Sequence, residues 1–340
     1  MNQPIKAAML AYGMSGKIFH APFLAAHPGF ELTAVLERTH KNAKKDYPEI
    51  KTYNSLSDLL ADPNIELVVV NTPNFLHYEQ AKEALNASKH VLVEKPITAR
   101  PEQLEELYKI ADEKGKQLFF YQNRRWDSDY QTVQKVAQSG DLGHIHEAHF
   151  RFDRYNLSLS PKTFKESAVE ASGIQYDLIP HVLDQAIALF GRPDKFYKRL
   201  LKLRPKSQVD DYCSIQLSYN SGLEVYVVAS LLTVNPGPAY NLYGSNGSYE
   251  KYRSDMQEDH LKEGLKPKDE YFGHPDGLYG GGMLILNQDG ELKTNIQSEP
   301  DSNYLGLFEA VYQTLRNGVH YPITREQILT QIQILAAPAS

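Results

Sequence analysis

Short apolar runs alternate with helical patterns over the first 120 residues. "IKAAML" precedes a glycine-containing turn and "GKIFHAPFLAAH", and "ELTAVL" precedes a charged segment. "IELVVVN" then leads to "HYEQAKEALNAS", "HVLVEK" leads to "PEQLEELYKIADEKG", and "QLFFYQN" closes the series. The runs are nearly continuous and rich in β-branched residues, as strands covered on both faces of a parallel sheet must be. "ADPN" and "DEKG" supply turn signals between them. The pattern predicts an α/β chain whose residues 1–124 form a doubly wound (Rossmann) parallel sheet.

From residue 125 the period changes. A helical stretch, "SDYQTVQKVAQSG", leads to "HIHEAHFRFDRY", which alternates like a strand, and then to a helix at "YDLIPHVLDQAIALFG". Long alternating runs follow. They include "KFYKRLLKLRP", "DDYCSIQLSYNSGLEVYVVASLLTV" with an Asn-Ser-Gly turn, and "LILNQDGELKT" with an Asp-Gly turn. Residues 125–340 are therefore expected to form an α+β domain around a largely antiparallel open sheet. The charged, Gly- and Pro-rich segment 254–282 is expected to be a long surface excursion, and "YLGLFEAVYQTLRNG" an amphipathic helix.

Composition narrows the function. A chain of 340 residues with 41% hydrophobic content usually fills two domains. Its net charge of -6 comes without a basic stripe, which argues against nucleic-acid binding. No apolar run is long enough to span a bilayer. The N-terminus reads as a first strand and not as a signal peptide. The single cysteine, Cys213, excludes an internal disulfide and suits a reducing compartment, so a cytoplasmic enzyme is expected. His144 and His146 share a strand face, but no cysteine or carboxylate cluster completes a metal site, and none is expected.

The first βα junction reads "AYGMSG", Ala11, Tyr12, Gly13, Met14, Ser15 and Gly16. In the dinucleotide fingerprint three glycines serve the turn, backbone approach to the pyrophosphate, and helix–strand packing. Gly13 and Gly16 match the last two roles, and Ala11 replaces the first glycine. The following helix would turn free N–H groups toward the pyrophosphate. Glu37 ends the second strand where an acidic residue would bind the adenosine ribose of NAD. Arg38 beside it could instead embrace the 2′-phosphate of NADP. Glu37 tips the expectation towards NAD, because a carboxylate repels a phosphate, and Arg38 keeps NADP open. "NTPNFLH" contributes Thr72, Pro73, Asn74 and His77 to a loop along the cofactor edge. "VLVEKP" brings Glu94 and Lys95 to that edge at the end of the fifth strand.

"EKP", "AYGMSG" and "GIQYDLIPHVLDQ" together resemble the Gfo/Idh/MocA family of NAD(P)-dependent oxidoreductases. "GKIFHAPFL" and "YQNRRWDSDY" narrow the resemblance to a subgroup similar to NADP-dependent scyllo-inositol dehydrogenases. The resemblance spans nearly the whole chain. It implies that Lys95, Asp177 and His181 line the substrate pocket. The spacing of Asp177 and His181 would place both on one helix face. His181 then suits the role of general base, Lys95 holds the developing alkoxide, and Asp177 fixes the histidine tautomer. Asn123 would border the nicotinamide, and Arg124 and Tyr155, with Arg154, would meet sugar hydroxyls.

The expected function is oxidation of a secondary alcohol of a cyclic polyol or sugar by hydride transfer to NAD(P). A dinucleotide- or sugar-sensing regulator, or an NAD-dependent glycosidase, on the same scaffold are the alternatives. The resemblance also implies a homodimer or homotetramer formed through the second-domain sheet. Ile179 and Pro180, "FKE" (164–166) and "VEAS" (169–172) depart from the subgroup pattern and leave the polyol open.

Overall fold

The computed structural model describes residues 3–160 and 166–340. Two compact units make up the chain. The first comprises Met1–Asn123, Gln257–Phe272 and Asn303–Thr324. The second comprises Arg124–Met256, Gly273–Ser302 and Arg325–Ser340.

The first unit is built on a parallel sheet of six strands: β1 Ile5–Met9, β2 Phe30–Leu36, β3 Lys51–Tyr53, β4 Leu67–Val70, β5 His90–Glu94 and β6 Leu118–Tyr121. Their order is β3-β2-β1-β4-β5-β6, so the order reverses between β1 and β4. Open α/β sheets bind ligands beside such a reversal, at the carboxyl ends of the strands. All four residues of "LVVV" in β4 are fully buried, as expected of a strand covered on both faces. Pro101 opens the helix Pro101–Lys114, and Gly115 closes it with φ +62°, a left-handed conformation that glycine adopts without a Cβ penalty.

The segment 254–282 is not the surface excursion that its composition suggests. It contains the helix Gln257–Glu263. Gln257, Leu261 and Phe272 are buried, and the Phe272 ring lies 6.0 Å from that of Phe23. Three apolar or amphipathic side chains spaced along a polar stretch suffice to dock it, and averaged composition hides them. The helix Leu305–Asn317 adds Phe308, stacked 5.7 Å from Phe23.

The second unit carries a sheet of eight strands: β7 Ile145–Asp153, β8 Lys195–Leu201, β9 Tyr212–Ser218, β10 Glu224–Ser230, β11 Tyr240–Gly244, β12 Gly247–Lys251, β13 Gly281–Gln288 and β14 Glu291–Ser298. The order is β14-β13-β12-β11-β7-β10-β9-β8. Only the β7–β10 pair is parallel. The Asp289-Gly290 turn between β13 and β14 has positive φ at both residues, 55° and 89°, as a tight hairpin matching strand twist requires. The helix Ile179–Phe190 packs on β7 and β10, on one face of the sheet. Strand β9 records this arrangement in its alternation, with Cys213, Ile215 and Leu217 buried and the residues between them half-buried.

Candidate active site

In the first unit the turn after β1 is held by a side chain from the next strand in the sheet. Asn71, just past β4, accepts hydrogen bonds at Oδ1 from the Leu10 and Ala11 N–H groups, at 3.1 and 3.0 Å. Its Nδ2 donates to the Ala11 carbonyl at 2.9 Å. A Cβ at Gly16 would lie 2.3 Å from the Ala11 carbonyl oxygen, so close packing of the helix start on the strand requires glycine. A Cβ at Gly13 would meet nothing within 4 Å, which leaves open space over the exposed turn. These are the two features a pyrophosphate cradle needs, close helix–strand packing beneath and room above. The residues present thus fit a dinucleotide.

The helix that follows starts with a π turn, Gly16–His20, continued by Ala21–Ala26. Such a turn widens the backbone by one residue and recurs at functional sites. It brings the buried His20 ring to the end of β5, where Nε2 lies 2.8 Å from Glu94 Oε1. The Ser15 hydroxyl donates to the same oxygen at 2.7 Å. The Lys95 N–H donates to the other carboxylate oxygen at 3.2 Å. Burial works against the charged carboxylate, but His20, Ser15 and the neighbouring Lys95 charge hold its pKa down at about 2. Glu94 is therefore a tie between the glycine turn and the half-buried Lys95.

Glu37 and Arg38 stand at the end of β2 but face different surroundings. The Glu37 carboxylate is buried and accepts from the Asn42 and Ala43 N–H groups at 3.0 and 3.2 Å, at the start of the short helix Ala43–Asp46. Arg38 is exposed. The Tyr12 hydroxyl donates to Asp46 at 2.7 Å, and Lys17 pairs with the same carboxylate at 3.0 Å.

Thr72, Pro73 and Asn74 form the half-buried loop after β4. His77 lies beneath it, only 1% exposed. Its Nδ1 is 2.7 Å from the Pro96 carbonyl oxygen and its Nε2 is 2.8 Å from that of Thr72. Burial pushes the imidazole pKa down, against the pull of both carbonyls. His77 thus fastens the loop to the Lys95–Pro96 segment from inside, rather than facing a ligand. Asn123 is buried at the start of a 3-10 turn, Asn123–Trp126.

In the second unit, Asp177 and His181 do not share one uninterrupted helix. Ile174–Asp177 and Ile179–Phe190 are separate helices joined at Leu178, which has φ -106° and ψ -37°. Pro180 lies in the first turn of the second helix, where its missing N–H costs nothing, and this proline starts a new helix rather than extending the old one. Asp177 is half-buried and His181 is 8% exposed. The His181 ring lies 6.1 Å from the Phe152 ring on β7.

Arg124 is held by Asp127 at 3.2 Å, and its carbonyl accepts from Gln185 at 2.8 Å. Arg125 forms a two-pronged pair with Asp184 at 2.7 and 2.8 Å. "NRRWD" thereby anchors itself to the helix that carries His181. Tyr155 is exposed and makes an isolated bridge to Leu232. Of "FKE", residues 164 and 165 lie outside the described residues. Among the described residues, no group of three or more His, Cys, Asp or Glu side chains could hold a metal ion, and no helix is long and apolar enough to cross a membrane.

Asn71, the link from Ser15 to Glu94, His20 and Phe152 are not among the residues expected from the sequence. Asn71 opens "NTPN" and His20 closes "GKIFH", so both lay inside motifs already singled out.

Residues 5–122 match an oxidoreductase family with an NAD-binding Rossmann fold, and residues 130–250 match the Gfo/Idh/MocA C-terminal domain. The chain is 38% identical to the uncharacterized oxidoreductase C115.03 of Schizosaccharomyces pombe, across 98% of this chain and 96% of that one. It is 33% identical to the scyllo-inositol 2-dehydrogenase (NADP(+)) IolW of Bacillus subtilis, across 98% and 92%. A solved structure of the oxidoreductase yvaA from Bacillus subtilis aligns with a TM-score of 0.92 at 33% identity, across 98% and 95%. Two matched domains in the expected order, with full-length relatives, place this chain in the Gfo/Idh/MocA family of oxidoreductases.

Proposed function

We propose that the protein is an NADP(H)-dependent dehydrogenase that reversibly oxidises one secondary alcohol of a cyclic polyol or sugar, working as a homo-oligomer. The observation that carries this reading is the single carboxylate, Glu94, that holds both the glycine turn, through Ser15, and the backbone of Lys95. This shared tie supports a cofactor cradle and a reactive Lys95 side by side on one edge of the sheet. The bound dinucleotide would supply the acceptor or donor of hydride.

Lys95 steadies the oxygen of the reacting hydroxyl, whose negative charge grows as its proton leaves. His181 takes that proton, a task suited to an imidazole near neutral pH. Asp177 favours the histidine tautomer that can accept it. Choice of NADP over NAD rests on Glu37. Its carboxylate is turned back onto two backbone N–H groups, leaving exposed Arg38 to meet a 2′-phosphate. The relative named for NADP(+) agrees with this choice.

The test is a panel of inositols, aldoses and sugar acids offered with NAD+ and NADP+, followed by the absorbance of the reduced nicotinamide. At least one should be turned over, and His181→Asn should lower kcat by at least about 100-fold while NADPH still binds. Tight NADPH binding without turnover of any panel member favours a sensor. An unchanged kcat in His181→Asn removes the histidine from the mechanism.

A further inference from the structure

Two donors of the first unit converge on a single carboxylate oxygen. The Tyr12 hydroxyl donates to Asp46 Oδ2 at 2.7 Å, and Lys17 Nζ lies 3.0 Å from the same oxygen. Tyr12 belongs to the glycine turn after β1, and Lys17 follows Gly16 in the π turn that opens the first helix. Asp46 comes from another element, the end of the short helix Ala43–Asp46 after β2. The Tyr12 and Lys17 hydrogen bonds hold the Asp46 pKa below its ordinary value, so the oxygen they share is anionic at neutral pH. A hydroxyl and an ammonium meeting at one anionic oxygen are also the donors that a phosphate oxygen takes.

The place of this contact gives it meaning. Asn42 and Ala43, at the start of the same short helix, hold the Glu37 carboxylate, and Asp46 stands one turn further on. The Tyr12 hydroxyl is within electrostatic reach of Glu37 as well. Burial, then Asp46, and more weakly Tyr47 and Glu37 raise its pKa. The contact therefore lies between the turn suited to the pyrophosphate and the strand end suited to the adenosine ribose.

The donors are better fixed than their acceptor. The Tyr12 ring is half-buried and edge-on to Tyr47, with centroids 6.4 Å apart. The Lys17 N–H donates to the Gly13 carbonyl at 2.9 Å. Asp46 ends a helix of four residues, and the Lys17 and Asp46 side chains are 57% and 38% exposed. An exposed ion pair contributes little to stability, so its anion is readily exchanged. A phosphate monoester brings about -1.5 to -2 charges and three acceptor oxygens, against one charge for the carboxylate.

We propose that Lys17 and Tyr12 form a second recognition site for the 2′-phosphate of NADP(H), and that Asp46 is its place-holder, displaced when the phosphate arrives. NAD(H), which presents only a hydroxyl there, leaves the Asp46 contact intact. This inference rests on the proposed NADP(H) reading and extends it from Arg38 to a contest between two anions for the same donors.

The experiment measures binding without turnover. NADPH and NADH are titrated by fluorescence, and adenosine 2′,5′-bisphosphate and 5′-AMP, which differ only in the 2′-phosphate, by calorimetry. Lys17→Gln should raise the dissociation constants of NADPH and the bisphosphate at least ~10-fold and leave those of NADH and AMP within about threefold. Tyr12→Phe should move the same pair in the same direction by about threefold or more. Asp46→Asn should do the opposite and lower both at least about threefold, because the phosphate no longer competes with a charged oxygen.

A Lys17→Gln variant with the wild-type ratio of NADPH to NADH affinity overturns the proposal. So does an Asp46→Asn variant whose NADPH affinity is unchanged or weaker, which would make Asp46 a brace between turn and helix. The two readings fail separately. Tighter NADH than NADPH binding in the wild type removes Arg38 as the selector, whereas Asp46→Asn narrowing that gap still upholds the place-holder.

Discussion

At the end of β5 one carboxylate serves Ser15, His20 and the Lys95 N–H. A Glu at a strand end is ordinary in a sequence, and only its three donors reveal what it does. Its pKa is held at about 2, below the ordinary value of 4.5. A folded-state pKa lowered in this way stabilises the fold fully above the unfolded value and is lost as pH falls through the folded one. The Glu94 contribution, about 3 kcal/mol for a shift of this size, should therefore be complete above pH ~4.5 and vanish towards pH ~2. Chemical denaturation across that range should show a shallower acid loss for Glu94→Gln than for the wild type, together with weaker NADPH binding. Equal acid slopes would remove the carboxylate from this role. Lys95 is the opposite case, because its motif points to it directly and the structure shows how its backbone is held.

Two short elements show where local pattern leaves the outcome to tertiary structure. The spacing of Asp177 and His181 is that of one helix face, yet Leu178 separates two helices there. Pro180 was visible in the sequence, but a proline is compatible both with a first turn and with a kink, so spacing could not decide. The segment after β2 is the second case. Glu37 occupies the position that binds ribose in NAD enzymes, but the next residues turn so that Asn42 and Ala43 present their N–H groups to its carboxylate. A carboxylate at a helix start is favoured by the exposed N–H groups and by the helix dipole. On the proposed reading, Arg38 is the residue that selects the cofactor. Arg38→Ala should raise the dissociation constant of NADPH at least about tenfold, the loss of a charge-assisted phosphate contact, and leave that of NADH within about threefold. Fluorescence titration of both cofactors measures this. Tighter NADH than NADPH binding in the wild type would restore Glu37 as the selector.

At the scale of the whole molecule, the eight-stranded sheet has one face on which the helix Ile179–Phe190 packs at β7 and β10, and a second that is largely half-buried or exposed. The register lines up a row across that second face: Tyr197, Gln216, Tyr226, His149, Asn241, Glu250, Met283 and Ile296. The Tyr226 and His149 rings stack at 4.9 Å, and Ile296 is 69% exposed. Such a broad mixed face suits a second copy of the chain. Light scattering should give a multiple of the chain mass, and Tyr226→Lys combined with Ile296→Glu should reduce it to one chain with the fold intact by circular dichroism. A single-chain mass for the wild type would end this proposal.

The sequence by itself determined most of the strands, the longer amphipathic helices up to residue 317, both sheet types and the glycine turn, because periods of two and 3.6 report which side of an element is buried and Gly or Pro marks where it stops. Tertiary structure alone decided what each side chain meets. It drew 257–272 and 303–324 into the first unit, turned Glu37 onto its own loop, and set Arg253 and Arg154 around Phe152 beside His181. Burial is a property of one position and leaves its period in the chain. A contact belongs to two positions that packing brings together, and neither carries the other's address.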